Sequence, residues 1–129
     1  MYDEELIERN LHPEFRGEIE GVEPIKLVNS SCGDELSLYL KVKDGRIVDG
    51  RFSGVGCAIS LVSADLFIAS IKGKTIKEAK KMSEEFSKMV LGEKADQKLI
   101  NKARPLSCVS RMPARVNCAK LAWRSLEKF

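Results

Sequence analysis

Aromatic residues are scarce in this chain, at 6% of 129 residues, so it has little from which to build a platform for stacking bases. It also lacks a dominant charge. The 22 lysines and arginines stand against 19 aspartates and glutamates, a net charge of +3. So mild a balance does not mark a phosphate-binding surface, and the two deficits together exclude nucleic acid as a partner. Long hydrophobic runs are missing as well. The most apolar stretch, Ala58 to Ile71, has 14 residues and includes Asp65; it is too short for a bilayer and suits a buried core helix. Met1 to Asn10 is acidic and has no apolar segment of the kind a secretory signal needs, so a cytoplasmic protein with no membrane partner is expected. No Cys-x-x-Cys pair occurs, and the single histidine, His12, lies far in sequence from the last cysteine.

What is present describes an ordinary globular domain. Hydrophobic residues make up 43% and charged residues 32%, and the length fits one domain over residues 1–129 with one hydrophobic core. There is no repeat, linker or low-complexity tract. The first twenty residues read as a short polar helix and a turn around Pro13 and Gly17. Ile25 and Leu27 alternate with polar positions and predict a strand ending near Asn29. Leu36, Leu38, Leu40 and Val42 alternate with Ser37, Tyr39, Lys41 and Lys43, giving one buried and one wet face. Asp44-Gly45 is a preferred two-residue hairpin turn, and the return strand, Arg46 to Ser53, is expected to place Val48 and Phe52 on one face.

Helices follow. Gly54-Val55-Gly56-Cys57 reads as a flexible, close-approach loop leading into the apolar helix Ala58 to Ile71. Thr75 and Glu78 have the spacing of a capping box, and Ile76, Ala79, Met82, Phe86 and Val90 recur on one face until Gly92 stops the helix. A short helix is expected around Asp96 to Asn101, broken by Pro105. Pro113 can open the last helix, with Val116, Ala119, Trp123 and Leu126 along one side. The fold class is therefore α+β: a three-stranded antiparallel sheet with helices packed on one face.

Four cysteines need an account, because in a reducing compartment they are more often metal ligands or reactive thiols than disulfides. Cys32 sits between two strands. Cys57 immediately precedes a helix, whose dipole favours its thiolate. Cys118 lies near the start of the last helix with Arg115 close by. Cys32-Gly33-Asp34 offers a sulfur and a carboxylate that one loop can bring to one metal, and two further thiolates would complete a site suited to zinc or iron–sulfur chemistry. The competing reading is that free cysteines are small buried hydrophobes. Flanking Gly33, Gly54 and Gly56, and an Asp34 that needs a partner if buried, weigh against it.

Three segments, Asn29-Ser30-Ser31-Cys32-Gly33-Asp34, Gly54-Val55-Gly56-Cys57-Ala58-Ile59-Ser60 and Pro113 to Trp123, resemble the signature segments of the SufU/IscU family of iron–sulfur cluster assembly proteins. They occur in the family's order and at matching distances. The resemblance covers nearly the whole chain, with a shorter N-terminal helix. It implies that Cys32, Asp34, Cys57 and Cys118 surround one metal site, holding zinc in SufU-like members and building a [2Fe–2S] cluster in IscU-like ones. It further implies a cysteine desulfurase of the SufS type as sulfur donor, Cys32 as persulfide acceptor, and recipient apo-proteins or other assembly proteins downstream.

The SufU branch is the better match. IscU proteins carry histidine directly before the third cysteine and a Leu-Pro-Pro-Val-Lys motif upstream, whereas this chain has Asn117 and Met112-Pro113-Ala114-Arg115-Val116. The segment between Gly92 and Pro113 resembles the insertion typical of SufU. Asn117 is itself a departure, because SufU usually has lysine there, and Cys108 falls where the family has no cysteine. Cys108 reads as a buried apolar residue, an auxiliary relay thiol or an alternative ligand. Asp34, the hard oxygen among soft sulfurs, is the candidate labile ligand. Arg115 steers a partner's anionic group, tunes Cys118 or is a solvated helix residue, and Lys72, Lys74, Lys77, Lys80 and Lys81 form either a docking patch or a charged helix face. A purely structural zinc module, and a metal-free fold with core cysteines, are the alternatives. A monomer or weak dimer is expected.

Overall fold

The computed structural model describes residues 4–129; Met1 to Asp3, part of the expected N-terminal helix, lie outside the described residues. The chain runs through α1 (Glu4–Leu11), β1 (Ile25–Asn29), β2 (Asp34–Lys43), β3 (Arg46–Val55), α2 (Ala58–Ile71), α3 (Ile76–Val90) and, after a 3-10 stretch, α4 (Val116–Lys120). The strands form an antiparallel meander in the order β1-β2-β3. This is the expected α+β architecture.

Alternation builds the sheet. Leu36, Leu38 and Leu40 of β2 are buried, and the Asp44-Gly45 turn has both residues at positive φ, as a tight hairpin requires. The return strand departs from the expectation. Lys41 pairs with Asp49 but Val42 pairs with Ile47, so β3 carries one extra residue there. This bulge changes the phase of the strand. Ile47 and Phe52 are buried, while Val48, expected beside Phe52, is 38% exposed.

Helix α2 is the axis of the core. Eleven of its side chains are buried, including Phe67, Ile68 and Ile71, each contributing about 2 kcal/mol by leaving water. Burial on all sides also encloses Asp65, whose carboxylate accepts from Arg9 Nη1 at 2.8 Å and from the Phe15 N–H at 2.7 Å. These bonds fasten α1 and the following turn to α2. Helix α3 starts with the expected capping box, both Thr75–Glu78 bonds being present, and turns Ala79, Met82, Phe86, Met89 and Val90 inward.

Two helical expectations change. Asp96 to Asn101 is not a helix: Asp96 gives its N–H to Glu85 Oε1 (2.9 Å) and accepts from the N–H groups of Lys98 and Leu99, which makes a turn. The winding begins instead at Asn101 and runs as a 3-10 helix to Arg111, with Pro105 inside it rather than breaking it. Proline's fixed φ suits 3-10 geometry, one bond is forfeited, and burial of Ala103, Pro105, Leu106 and Val109 offsets that loss. The last helix is also segmented. Pro113 opens a 3-10 turn to Arg115, α4 follows, and Ala122–Lys128 is 3-10 again. At this junction the Ser63 hydroxyl donates at 2.5 Å to the Ala119 carbonyl, the one that a continuous α-helix would offer to the Trp123 N–H. Trp123 Nε1 donates to the same Ser63 oxygen at 3.0 Å, and its ring stacks on Phe86 with centroids 4.2 Å apart. Among the described residues no helix is long and apolar enough to cross a membrane.

Candidate metal centre

Four local structures deliver the expected site residues to one end of the sheet. Asn29 and Asp34 are cross-strand partners at the last rung of β1 and β2, and the turn between them carries Cys32, with Gly33 at φ +70°. Cys57 is the N-cap residue of α2, and Cys118 is the third residue of α4. The ligand atoms of Cys32, Asp34 and Cys118 all lie within 4.8 Å of one another. Cys57 stands beside this trio rather than in it: its backbone N–H donates to Asp34 Oδ1 at 2.9 Å. Asp34 and Cys118 are fully buried, whereas Cys32 and Cys57 are half-buried, so the site has an inner wall and an accessible lip.

The carboxylate is held in its charged form. Burial acts to raise the Asp34 pKa, but the Cys57 N–H, the Cys118 thiol, Asn29 Nδ2 (3.2 Å) and Ser60 Oγ (3.1 Å) together outweigh it and lower the pKa. The Cys118 thiol shows the opposite shift. Burial, then its hydrogen bonds with Cys32, Asp34 and Cys57, push it well above the ordinary thiol range. In the metal-free site Cys118 is thus the proton donor and Asp34 the acceptor, and binding a cation must displace that proton.

Arg115 lies on the open side, with Nη1 3.5 Å from Cys32 Sγ. A hydrogen bond to Cys118 and the neighbouring cysteine sulfurs raise its pKa further. It faces all three sulfurs and is no free surface residue. Two thiols and a carboxylate within reach of one ion, with a third thiol adjacent, match the donor preferences of zinc and of iron.

The glycines give the expected close approach, although Gly54 lies in a strand rather than in a loop. Gly54 belongs to β3 at φ +122°, and a Cβ there would meet the Glu35 carbonyl at 2.1 Å; at Gly56 it would meet Ser60 Oγ at 2.3 Å and Asp34 Oδ1 at 2.7 Å. The remaining candidates fall elsewhere. Cys108, in the 3-10 stretch, packs against the core with Sγ 3.5 Å from the Pro105 carbonyl and is not in the ligand trio. His12 is exposed, 3.9 Å from Glu8. Asn117 is exposed and lines a groove between α3 and the C-terminal winding. Lys72 pairs with Asp49, and Lys81 with Glu84 and Glu85. Reading the sequence for ligands passed over Asn29 and Ser60, although both stand inside the quoted motifs; a rule that buried carboxylates need donors would have found them.

This small α+β domain, with a sheet end, two helix starts and a turn converging on thiols and one carboxylate, is of the class that handles metal through cysteine sulfur. It belongs to the family of the NifU-like N-terminal domain, whose model matches residues 1–128. The iron–sulfur cluster assembly scaffold protein IscU of Thermotoga maritima is 39% identical over 99% of this chain and 91% of its own length. The zinc-dependent sulfurtransferase SufU of Bacillus subtilis is 34% identical over 99% of this chain and 88% of its own. The crystal structure of a SUF-system cluster assembly scaffold protein from Fervidobacterium islandicum AW-1 superposes with a TM-score of 0.92 at 36% identity, covering 98% and 94% of the two chains.

Proposed function

We propose that this protein serves iron–sulfur cluster assembly in the SufU manner: Cys32 accepts sulfur from the persulfide of a cysteine desulfurase, within a metal site formed by Cys32, Asp34, Cys57 and Cys118. Sulfur, or a nascent [2Fe–2S] cluster as cargo, then passes to recipient apo-proteins or other assembly proteins. The observation that carries this reading is the convergence of Cys32, Asp34 and Cys118 within 4.8 Å, with Cys32 on the accessible lip and Arg115 beside it. A structural zinc site holds its ligands unreactive, so sulfur uptake at the accessible Cys32 separates the two readings.

Cys32 Sγ, as a thiolate, attacks the outer sulfur of the donor persulfide. A new S–S bond forms on Cys32, the donor's S–S bond breaks, and the donor cysteine leaves as a thiolate. One persulfide is consumed and one is made, so no outside oxidant is needed. Arg115 offers positive charge to the attacking and incoming sulfurs. Zinc, when bound, would keep the thiols deprotonated and sheltered until the donor docks. The weaker oxygen ligand, Asp34, is the one suited to leave. A cytoplasmic monomer or weak dimer fits this role.

Metal, iron and acid-labile sulfide content of protein purified without added metal, beside Cys32→Ser, tests the reading. Zinc near one per chain, weakened in the variant, is expected. Iron with matching sulfide would favour a cluster scaffold, bound zinc with no sulfur uptake from a desulfurase would favour the structural module, and failure to rebind either metal would end the shared-site reading.

A further inference from the structure

The two oxygens of the Asp34 carboxylate are not equivalent. Oδ1 accepts from the Cys57 N–H at 2.9 Å and from Ser60 Oγ at 3.1 Å, and the space beside it exists only because residue 56 is glycine. That oxygen is anchored to the start of α2. Oδ2 accepts from Asn29 Nδ2 at 3.2 Å, which is long for an N–H···O bond; the Cys118 thiol also donates to this carboxylate, through the proton that a bound cation would displace. The same Asn29 nitrogen lies 3.4 Å from Cys118 Sγ. Its orientation is set from behind, because Asn29 Oδ1 accepts from Ser31 Oγ at 2.9 Å, which turns the amide nitrogen toward the two ligand atoms.

Resting on the metal-site reading above, we infer that Asn29 is a positioning residue that makes Asp34 a releasable ligand. With Oδ1 fixed, only Oδ2 is available to a metal. A carboxylate oxygen that leaves a cation inside a buried site must find another donor or carry the full cost of an unpaired charge. Asn29 Nδ2 is already in place to receive it. The same hydrogen bond, present while the metal is bound, draws charge from Oδ2 and loosens its grip. Asn29 therefore favours the open form over the closed one, and Ser31 keeps it aimed. Because β1 and β2 pair Asn29 directly with Asp34, the donor and the ligand are held at fixed distance by the sheet itself.

The test is the rate at which zinc-loaded protein gives up its metal to a chromogenic chelator, together with the absorption spectrum of the cobalt-substituted protein. Asn29→Ala should release zinc about tenfold more slowly, the effect expected of one hydrogen bond to a charged group, and Ser31→Ala should move in the same direction by less. The sulfur-to-cobalt charge-transfer intensity should stay unchanged, since the thiolate ligands are the same. In an Asp34→Ala background, Asn29→Ala should have no further effect on release, because its action runs through that carboxylate. Equal or faster release in Asn29→Ala, a lowered charge-transfer intensity, or slowing that persists without Asp34 would each overturn the inference while leaving the metal site standing. Failure of the unaltered protein to take up zinc or cobalt would overturn the site reading, and this inference with it.

Discussion

Arg9 and Asp65 form an ion pair of 2.8 Å across 56 positions of sequence, with the aspartate side chain fully buried and the arginine 29% exposed. Deleting the arginine strands a charge in the core, with the Phe15 N–H left to it among the described residues. Arg9→Ala should therefore cost about 2–3 kcal/mol in urea unfolding, well beyond a surface ion pair. Asp65→Asn should cost less, because an amide keeps an acceptor for the Phe15 N–H without leaving an unpaired charge.

Gly54 and Gly56 separate fold from site. Gly54→Ala forces a Cβ onto the Glu35 carbonyl at a φ that side chains avoid, and should destabilise the protein by about 3 kcal/mol. Gly56→Ala pushes on Ser60 and Asp34 instead. Its main consequence should be weakened zinc uptake, read by metal titration, with a smaller loss of melting temperature than Gly54→Ala.

Thiol reactivity should follow burial and proton affinity. Burial and its bonds to Cys32 and Asp34 raise the Cys118 pKa, so in metal-free protein Cys118 should be the last of the three site cysteines to alkylate near pH 8. Peptide mass spectrometry over time reads the order directly. Cys32 and Cys57, both half-buried, should be modified first, and added zinc should protect them.

Acid stability has a contribution from Glu85. The Asp96 N–H and Lys88 hold its pKa at about 2, below an ordinary value of 4.5, against the opposing effect of burial. A carboxyl lowered in the folded state stabilises fully above pH 4.5, and the contribution is lost as pH falls toward 2. Glu85→Gln should therefore be less stable than the unaltered protein at neutral pH, with the gap closing over that window in pH-dependent thermal melts.

Much of this molecule could be read from residue order because its signals are local. Leucines at alternate positions fixed the inward face of β2, Asp44-Gly45 the hairpin, and Thr75 with Glu78 the start of α3. What escaped depends on partners distant in sequence. The bulge at Val48 appears only when β3 is set against β2, and the bond that ties the end of α4 to α2 joins Ser63 to Ala119. Pro105 argued for a helix break, but a breaker of α-helices is tolerated in a tighter winding with a buried face. At the site, the order of motifs picked out Cys32, Asp34, Cys57 and Cys118 as candidates, while the different donors of the two carboxylate oxygens come from Asn29, Cys57 and Ser60, which only folding brings together.

The rung joining Asn29 to Asp34 has a further implication for how the molecule matures. A slip of one residue between β1 and β2 would turn Ile25 and Leu27 away from the face they share with the β2 leucines and at the same time part the amide from the carboxylate. Chains that pair wrongly thus lose the packing of β1 and the Asn29 donor to Asp34 together. The rung that closes the sheet also completes the surroundings of Asp34, so strand pairing and the proposed pocket mature in one step.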